Sequence, residues 1–298
     1  MKYYIDLGSS TIKVYSYSES LILEEECSIH FKNDFKEDRG FSDVIESELY
    51  SYFENLKSRL NLSYETTFIY ATGIFRKMNP DIQTKYIKEF NDKLDLHLNI
   101  LSHGLENYYL GKAMEADYNN KKVMIINMGG KTTEVVTFEN NSITKRHNLT
   151  VGVADLLTKF SNVNDEIASC KIEEMISFVE EKMESIILDN DYDCAIFTGG
   201  ELRFEKLTDY NLVKNTLFND GIHEVMVSYE DYMEQTTKVF YDEKYKLSKL
   251  YDLMPGNPKW MDGARAGAIL PIPLFKMGNI KYIVPSDLNL INGVVKDN

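Results

Sequence analysis

KVMIINMGGKTTEVVTF, Lys122 to Phe138, decides the fold. An apolar run, a Gly-Gly turn and a second run rich in β-branched residues read as two strands joined by a tight turn. The turn residues Gly129, Gly130, Lys131, Thr132 and Thr133 are mostly small or carry hydroxyls, so backbone N–H groups there can face an anion unobstructed. The chain opens on the same pattern: Lys2 to Tyr17 reads KYYIDLGSSTIKVYSY. At a constant offset of 121 residues, Asp6 falls on Asn127, Leu7 on Met128, Gly8 on Gly129, Thr11 on Thr132 and Val14 on Val135. A strand–turn–strand unit used twice predicts two related halves. Two such turns facing one cleft would grip a phosphate chain from both sides.

The rest of the chain has room for two such halves. Its 298 residues, 43% hydrophobic and 27% charged, have the composition of a globular protein with two cores. No run approaches the ~18 uninterrupted apolar residues of a membrane span. No signal peptide is visible ahead of the first strand. Cys27, Cys170 and Cys194 are scattered and odd in number, as expected for buried thiols in a reducing cytoplasm. A net charge of −14 argues against nucleic acid or an anionic membrane as partner. It also favours a small anionic ligand over a long polymer, because the basic groups Arg76-Lys77, Lys145-Arg146-His147 and Arg203 form no extended track.

Periodicity predicts a third strand over Leu21–Phe31 and a helix over Asp43–Leu60 behind Ser42 as cap. A buried strand over Thr67–Thr72 leads into a loop, Gly73–Met78. Asn79-Pro80 is a helix start, running to about Leu94. A strand over Leu96–Leu101 is followed by Ser102–Met114, a loop entering a helix. The polar, turn-rich Asp117–Lys122 marks the boundary between domains 1–118 and 119–298. Beyond the second hairpin come a strand over Ser142–Thr150, a short helix over Gly152–Phe160 and one long amphipathic helix over Asn164–Leu188. The strand Tyr192–Phe197 ends in Thr198-Gly199-Gly200, a glycine turn into a helix that offers N–H groups to an anion. The strand His223–Val227, a broken helix over Tyr229–Tyr251 and a helix over Pro258–Leu270 follow. The last helix is expected to pack back on the first domain.

IDLGSSTIKV and INMGGKTTEVV resemble the two phosphate-binding hairpins of the actin, sugar-kinase and Hsp70 superfold. Within it the chain most resembles the Ppx/GppA family of exopolyphosphatases and guanosine pentaphosphate phosphohydrolases. YATGIFRKMNP (70–80) is similar to the family's Ala-Thr-x-x-x-Arg segment, and SHGLENYYLGKA (102–113) to its Ser-Gly-x-Glu-Glu segment. LTVGVADLL (149–157), FTGGELR (197–203) and MDGARAGAIL (261–270) match later landmarks in order. The resemblance implies an α/β fold of two actin-like, ribonuclease H-like domains with an interdomain cleft.

It also implies roles. Asp6 would hold Mg²⁺, usually through water, with Asn127 and Glu134 as further ligands. The family has Asp where this chain has Asn127, so one anionic ligand is lost. Glu106 would be the general base that turns a water toward the terminal phosphorus. Asn107 replaces the second Glu of that segment, and Tyr108-Tyr109 its Ala-Arg. Arg76 would bind phosphate through its planar fork of donors. Gly8, Ser9, Ser10, Gly129, Gly130, Lys131, Thr132, Gly199 and Gly200 complete the phosphate-binding set. The implied activity is Mg²⁺-assisted hydrolysis of a terminal phosphoanhydride, in polyphosphate or a phosphorylated guanine nucleotide, in the cytoplasm. The sequence admits a homodimer. Two alternatives stay open: a sensor that binds the phosphate compound without turning it over, for which Asn127 and Asn107 speak, and an ATP-dependent kinase of the same superfold.

Overall fold

The computed structural model describes residues 1–9, 11–29, 31, 35–115, 118–183, 186, 188–189, 191–218 and 221–297. They form two units: Met1–Tyr108 with Leu290–Asn292, and Tyr109–Asn289 with Gly293–Asn298. Among the described residues no helix is long and apolar enough to cross a membrane.

In the first unit, β1 (Lys2–Leu7), β2 (Thr11–Tyr17) and β3 (Leu21–Ser28) form an antiparallel meander. Next come α1 (Asp43–Leu60), β4 (Thr67–Ala71), the one-turn α2 (Ile74–Lys77), α3 (Pro80–Leu94), β5 (His97–Ile100) and α4 (His103–Ala113), which continues into the second unit. The sheet order is β3-β2-β1-β4-β5, with β1, β4 and β5 parallel. A meander on one side of a central strand and parallel crossovers on the other is the actin-like, ribonuclease H-like order. Apolar side chains of α1 and α3, among them Leu49, Phe53, Leu56, Tyr86 and Phe90, bury against Ile5, Leu7, Ile12 and Ile69. Burial of such side chains contributes roughly 1.5–3 kcal/mol each. Asn79 caps α3 as its sequence predicts: its side chain accepts from the Ile82 N–H, with Pro80 in the first turn. Ser42 stands at the start of α1 but makes no side-chain cap.

The second unit repeats the scheme with β6 (Lys122–Met128), β7 (Thr133–Glu139) and β8 (Ser142–Leu149), then α5 (Val153–Lys159), α6 (Ile172–Lys182), β9 (Cys194–Thr198) and α7 (Glu201–Leu207). It continues with β10 (Val213–Lys214), β11 (Val225–Ser228), α8 (Tyr229–Tyr241), α9 (Leu247–Leu253), α10 (Ala264–Ile269), α11 (Ile272–Met277) and β12 (Tyr282–Ser286); the last helix, α12 (Leu290–Asp297), has Leu290–Asn292 in the first unit and the rest in the second. The sheet order is β10-β11-β12-β9-β6-β7-β8. Asp6 pairs with Lys13 in the first hairpin and Asn127 with Glu134 in the second, so the duplicated hairpins keep one register.

The long helix predicted over Asn164–Leu188 is a correction. A 3₁₀ turn covers Ser161–Asn164, and α6 begins only at Ile172. The physical reason is Arg265, which is fully buried. Its guanidinium donates to the carbonyls of Val163, Asp165, Glu166, Val239 and Tyr245 at 2.7–3.1 Å. Three of those carbonyls lie in the stretch before α6 and are turned toward the arginine instead of into a helical ladder. Likewise Pro258–Asp262 is 3₁₀, and the α-helix starts at Ala264.

Candidate active site

In each unit the candidate residues gather at the C-terminal ends of the central parallel strands, where open α/β sheets place ligands. The first turn is closed by the Gly8 N–H donating to the Thr11 carbonyl at 3.0 Å. The second is closed by the Gly129 N–H donating to Thr132 at 2.8 Å. These two amides therefore belong to the turns themselves. Ser10, one of the residues expected there, lies outside the described residues.

Ser9 locks the first turn to the next strand's end. Its Oγ accepts from the Ile74 N–H at 3.0 Å. Gly73 makes the approach possible: its φ is +55°, and a Cβ there would stand 2.0 Å from Ser9 Oγ. The Thr72 N–H donates to Leu7 O at 3.1 Å and the Leu101 N–H to Ala71 O at 2.9 Å, so the ends of β1, β4 and β5 are stitched in sequence.

That stitching carries Arg76 to Glu106. Arg76 Nη1 donates to Glu106 Oε2 at 2.6 Å and to Leu101 O at 3.0 Å. Side-chain exposure is 14% for the arginine and 7% for the glutamate. Gln83 Nε2 donates to the backbone carbonyls of Arg76 and Met78, holding the loop from below. Arg76 Nη2 is buried, with no partner among the described residues. Such a donor costs about 1–3 kcal/mol. Burial pushes the Glu106 carboxyl above its ordinary range, and the Arg76 charge and hydrogen bond pull against it. Asp6, half-buried at the end of β1, is pushed up to about 6, by burial first; Lys13 opposes the shift, and Glu106 and Glu26 add to it.

In the second unit, Asn127 Nδ2 donates to Glu134 Oε2 at 3.0 Å, and Glu134 is buried. Lys131 Nζ pairs with Asp155 Oδ1 at 2.5 Å, while Asp155 Oδ2 accepts the Gly152 N–H at 3.0 Å. The first amides of α5 reach back to the turn: Val153 N–H donates to Gly129 O at 3.1 Å and Ala154 N–H to Gly130 O at 2.9 Å. Gly152 sits so close that a Cβ would stand 2.5 Å from both Gly129 O and Lys131 N. Thr132 is buried beside Gly129, and the Thr133 hydroxyl donates to Val151 O. Gly199 (φ +136°) and Gly200 (φ +109°) pass the end of β6, where a Gly199 Cβ would meet Met128 O at 3.3 Å. Arg203 lies with its guanidinium 5.1 Å from the Trp260 ring centre, a cation–π contact.

Sequence reasoning missed Asp155, Gly152 and the Ser9–Gly73 lock. Asp155 had a signal: an acidic residue three positions after a helix-start glycine is capping-box spacing. Gly73 had none, because its need for no side chain arises from a residue 64 positions away.

No family model matches the chain, and no curated protein matches its sequence. Solved structures do. A Ppx/GppA family member from Aquifex aeolicus matches with a TM-score of 0.71 at 15% identity, covering 99% of this chain and 96% of that one. An exopolyphosphatase from Cytophaga hutchinsonii matches at 0.71 with 12% identity, covering 98% and 96%. An exopolyphosphatase-like protein matches at 0.74 with 16% identity, covering 99% and 97%. The resemblance carried by the motifs is thus one of fold over nearly the whole chain.

Proposed function

We propose that a chain with the fold of the Ppx/GppA structures, and with Glu106 held in a buried ion pair, hydrolyses a terminal phosphoanhydride of a short polyphosphate or of guanosine pentaphosphate. The observation that carries this reading is Glu106: a carboxyl withdrawn from water and paired with Arg76 at 2.6 Å, at the strand ends beside the first turn. A water in hydrogen-bond reach of that carboxylate can be oriented and deprotonated for attack on phosphorus. The amides after Gly8 and after Gly129, with the Thr132 hydroxyl, would hold phosphate oxygens.

The acidic set fits a divalent cation. Burial first, and then the charges of Glu106 and Glu26, raise the Asp6 carboxyl, and neighbouring Lys13 offsets this only in part. Asp6 would hold Mg²⁺ with Asn127 and Glu134; when bound, the ion supplies charge neutralisation for the phosphate oxygens. The test is free phosphate released from tripolyphosphate, guanosine pentaphosphate and ATP, with and without Mg²⁺, against Glu106→Ala. Release that persists undiminished in the variant removes Glu106 from the reaction.

A second reading, a binding protein without turnover, is favoured by the Asn127 amide, which occupies Glu134 with a hydrogen bond. Phosphate release that appears only in Asn127→Asp would decide for it.

A further inference from the structure

We infer that Arg76 is a positioning residue for Glu106 rather than a ligand of the substrate phosphate. The inference rests on the proposed hydrolysis. The geometry separates the two roles. A phosphate-binding arginine presents the outer edge of its fork to the ligand. Arg76 instead points Nη1 at Glu106 Oε2 and Leu101 O, and its Nη2 is sealed from solvent.

The cost of that seal is informative. A buried donor without a partner weakens the fold, and such groups persist where function holds them. A leucine at position 76 would bury as well but would leave Glu106 without its ion-pair partner and without the tether to Leu101 O. Arg76 therefore does two things to Glu106. It sets a counter-charge against the carboxyl, and by also holding Leu101 O it pins Glu106 to the fixed end of β5. Only Oε2 is tied to the guanidinium. Oε1 is the atom left to orient a water.

Phosphate release from tripolyphosphate and calorimetric binding of tripolyphosphate, on the full chain, test this. The proteins are wild type, Arg76→Met, Arg76→Lys, Glu106→Gln and the Arg76→Met/Glu106→Gln double variant. Arg76→Met should lower kcat about 100-fold, the scale of a misplaced catalytic group, and leave the Kd for tripolyphosphate within about twofold. Arg76→Lys, which keeps one charged donor, should retain more turnover than Arg76→Met. In the Glu106→Gln background Arg76→Met should cost nothing further. A Kd raised about tenfold or more by Arg76→Met, or an undiminished kcat loss in that background, overturns the inference. Should the wild type release no phosphate, the proposed function fails on its own. A crystal structure of Arg76→Met then decides: a Glu106 carboxylate displaced by about 1 Å or more supports the positioning role, and an unmoved one refutes it.

Discussion

Asn127 and Glu134 stand opposite each other across the second hairpin, and the amide donates to the carboxylate at 3.0 Å. The equivalent positions of the first hairpin hold Asp6 and Lys13. The carboxylate has changed strands between the two copies, and it faces a different partner in each: a lysine across the strands in one, an amide that donates a hydrogen bond in the other.

Asn127→Asp converts the second arrangement into two facing carboxylates. In metal-free buffer the variant should be less stable by about 1–3 kcal/mol, the cost of removing a buried donor and adding like charge. Thermal unfolding should show a midpoint lower than wild type by roughly 3–10 °C. Millimolar Mg²⁺ should recover more of that loss than it adds to wild type. Equal Mg²⁺ responses in both proteins would show that Glu134 and its neighbour do not form a cation site.

Asp6 makes stability depend on pH with a definite sign. Its folded-state pKa of about 6 lies above the ordinary 3.8. As pH rises between those values the unfolded chain gives up its proton first, so the folded state loses stability across that window. The full effect, reached above about pH 6, is on the order of 3 kcal/mol. Asp6→Asn, without added divalent metal, should therefore be more stable than wild type at pH 8 and similar to it at pH 4. Urea unfolding at the two pH values reads this; a constant difference between the proteins would remove Asp6 as its source.

Gly152→Ala should disturb the second turn. The added Cβ meets backbone on both sides at 2.5 Å, and backbone cannot swing aside as a side-chain end can. Because α5 holds the Gly129 and Gly130 carbonyls through its first two amides, the turn must shift with it. A stability loss of about 1–3 kcal/mol is expected, together with weaker binding of tripolyphosphate. Unchanged binding in a folded Gly152→Ala protein would separate this turn from the phosphate.

Arg265→Met should be among the most damaging substitutions in the second unit. It removes all five carbonyl contacts while preserving much of the volume. Loss on the order of 3–5 kcal/mol is expected, because buried acceptors are left without a donor. Denaturant unfolding measures it. A loss under about 1 kcal/mol would mean water or a rearranged loop satisfies the carbonyls.

What the residues reveal by themselves is local. The duplicated hairpins are legible because strand pattern and turn chemistry sit in one short stretch, and so is the Asn79-Pro80 helix start. Apolar spacing predicts one long helix over Asn164–Leu188, and the force that breaks it ahead of α6 comes from Arg265, about 100 residues away in sequence. Arg76 was visible as an arginine at a strand end. That its charge is directed at Glu106 depends on β4 and β5 lying side by side, which no local pattern encodes. For Lys131 the sequence implies phosphate, and the pairing with Asp155 comes only from the first turn of α5 being brought against the hairpin turn.

The strand exchange of the carboxylate also bears on folding fidelity. Two hairpins of one register within a single chain invite β1 to zip against β7, or β6 against β2, while the chain is still collapsing. In the first error Asp6 would stand directly opposite Glu134, two negative charges where like pairs repel. The swap thus gives β1 a reason to reject β7, its near-twin's partner, and restoring symmetry at these four positions would erase that discrimination.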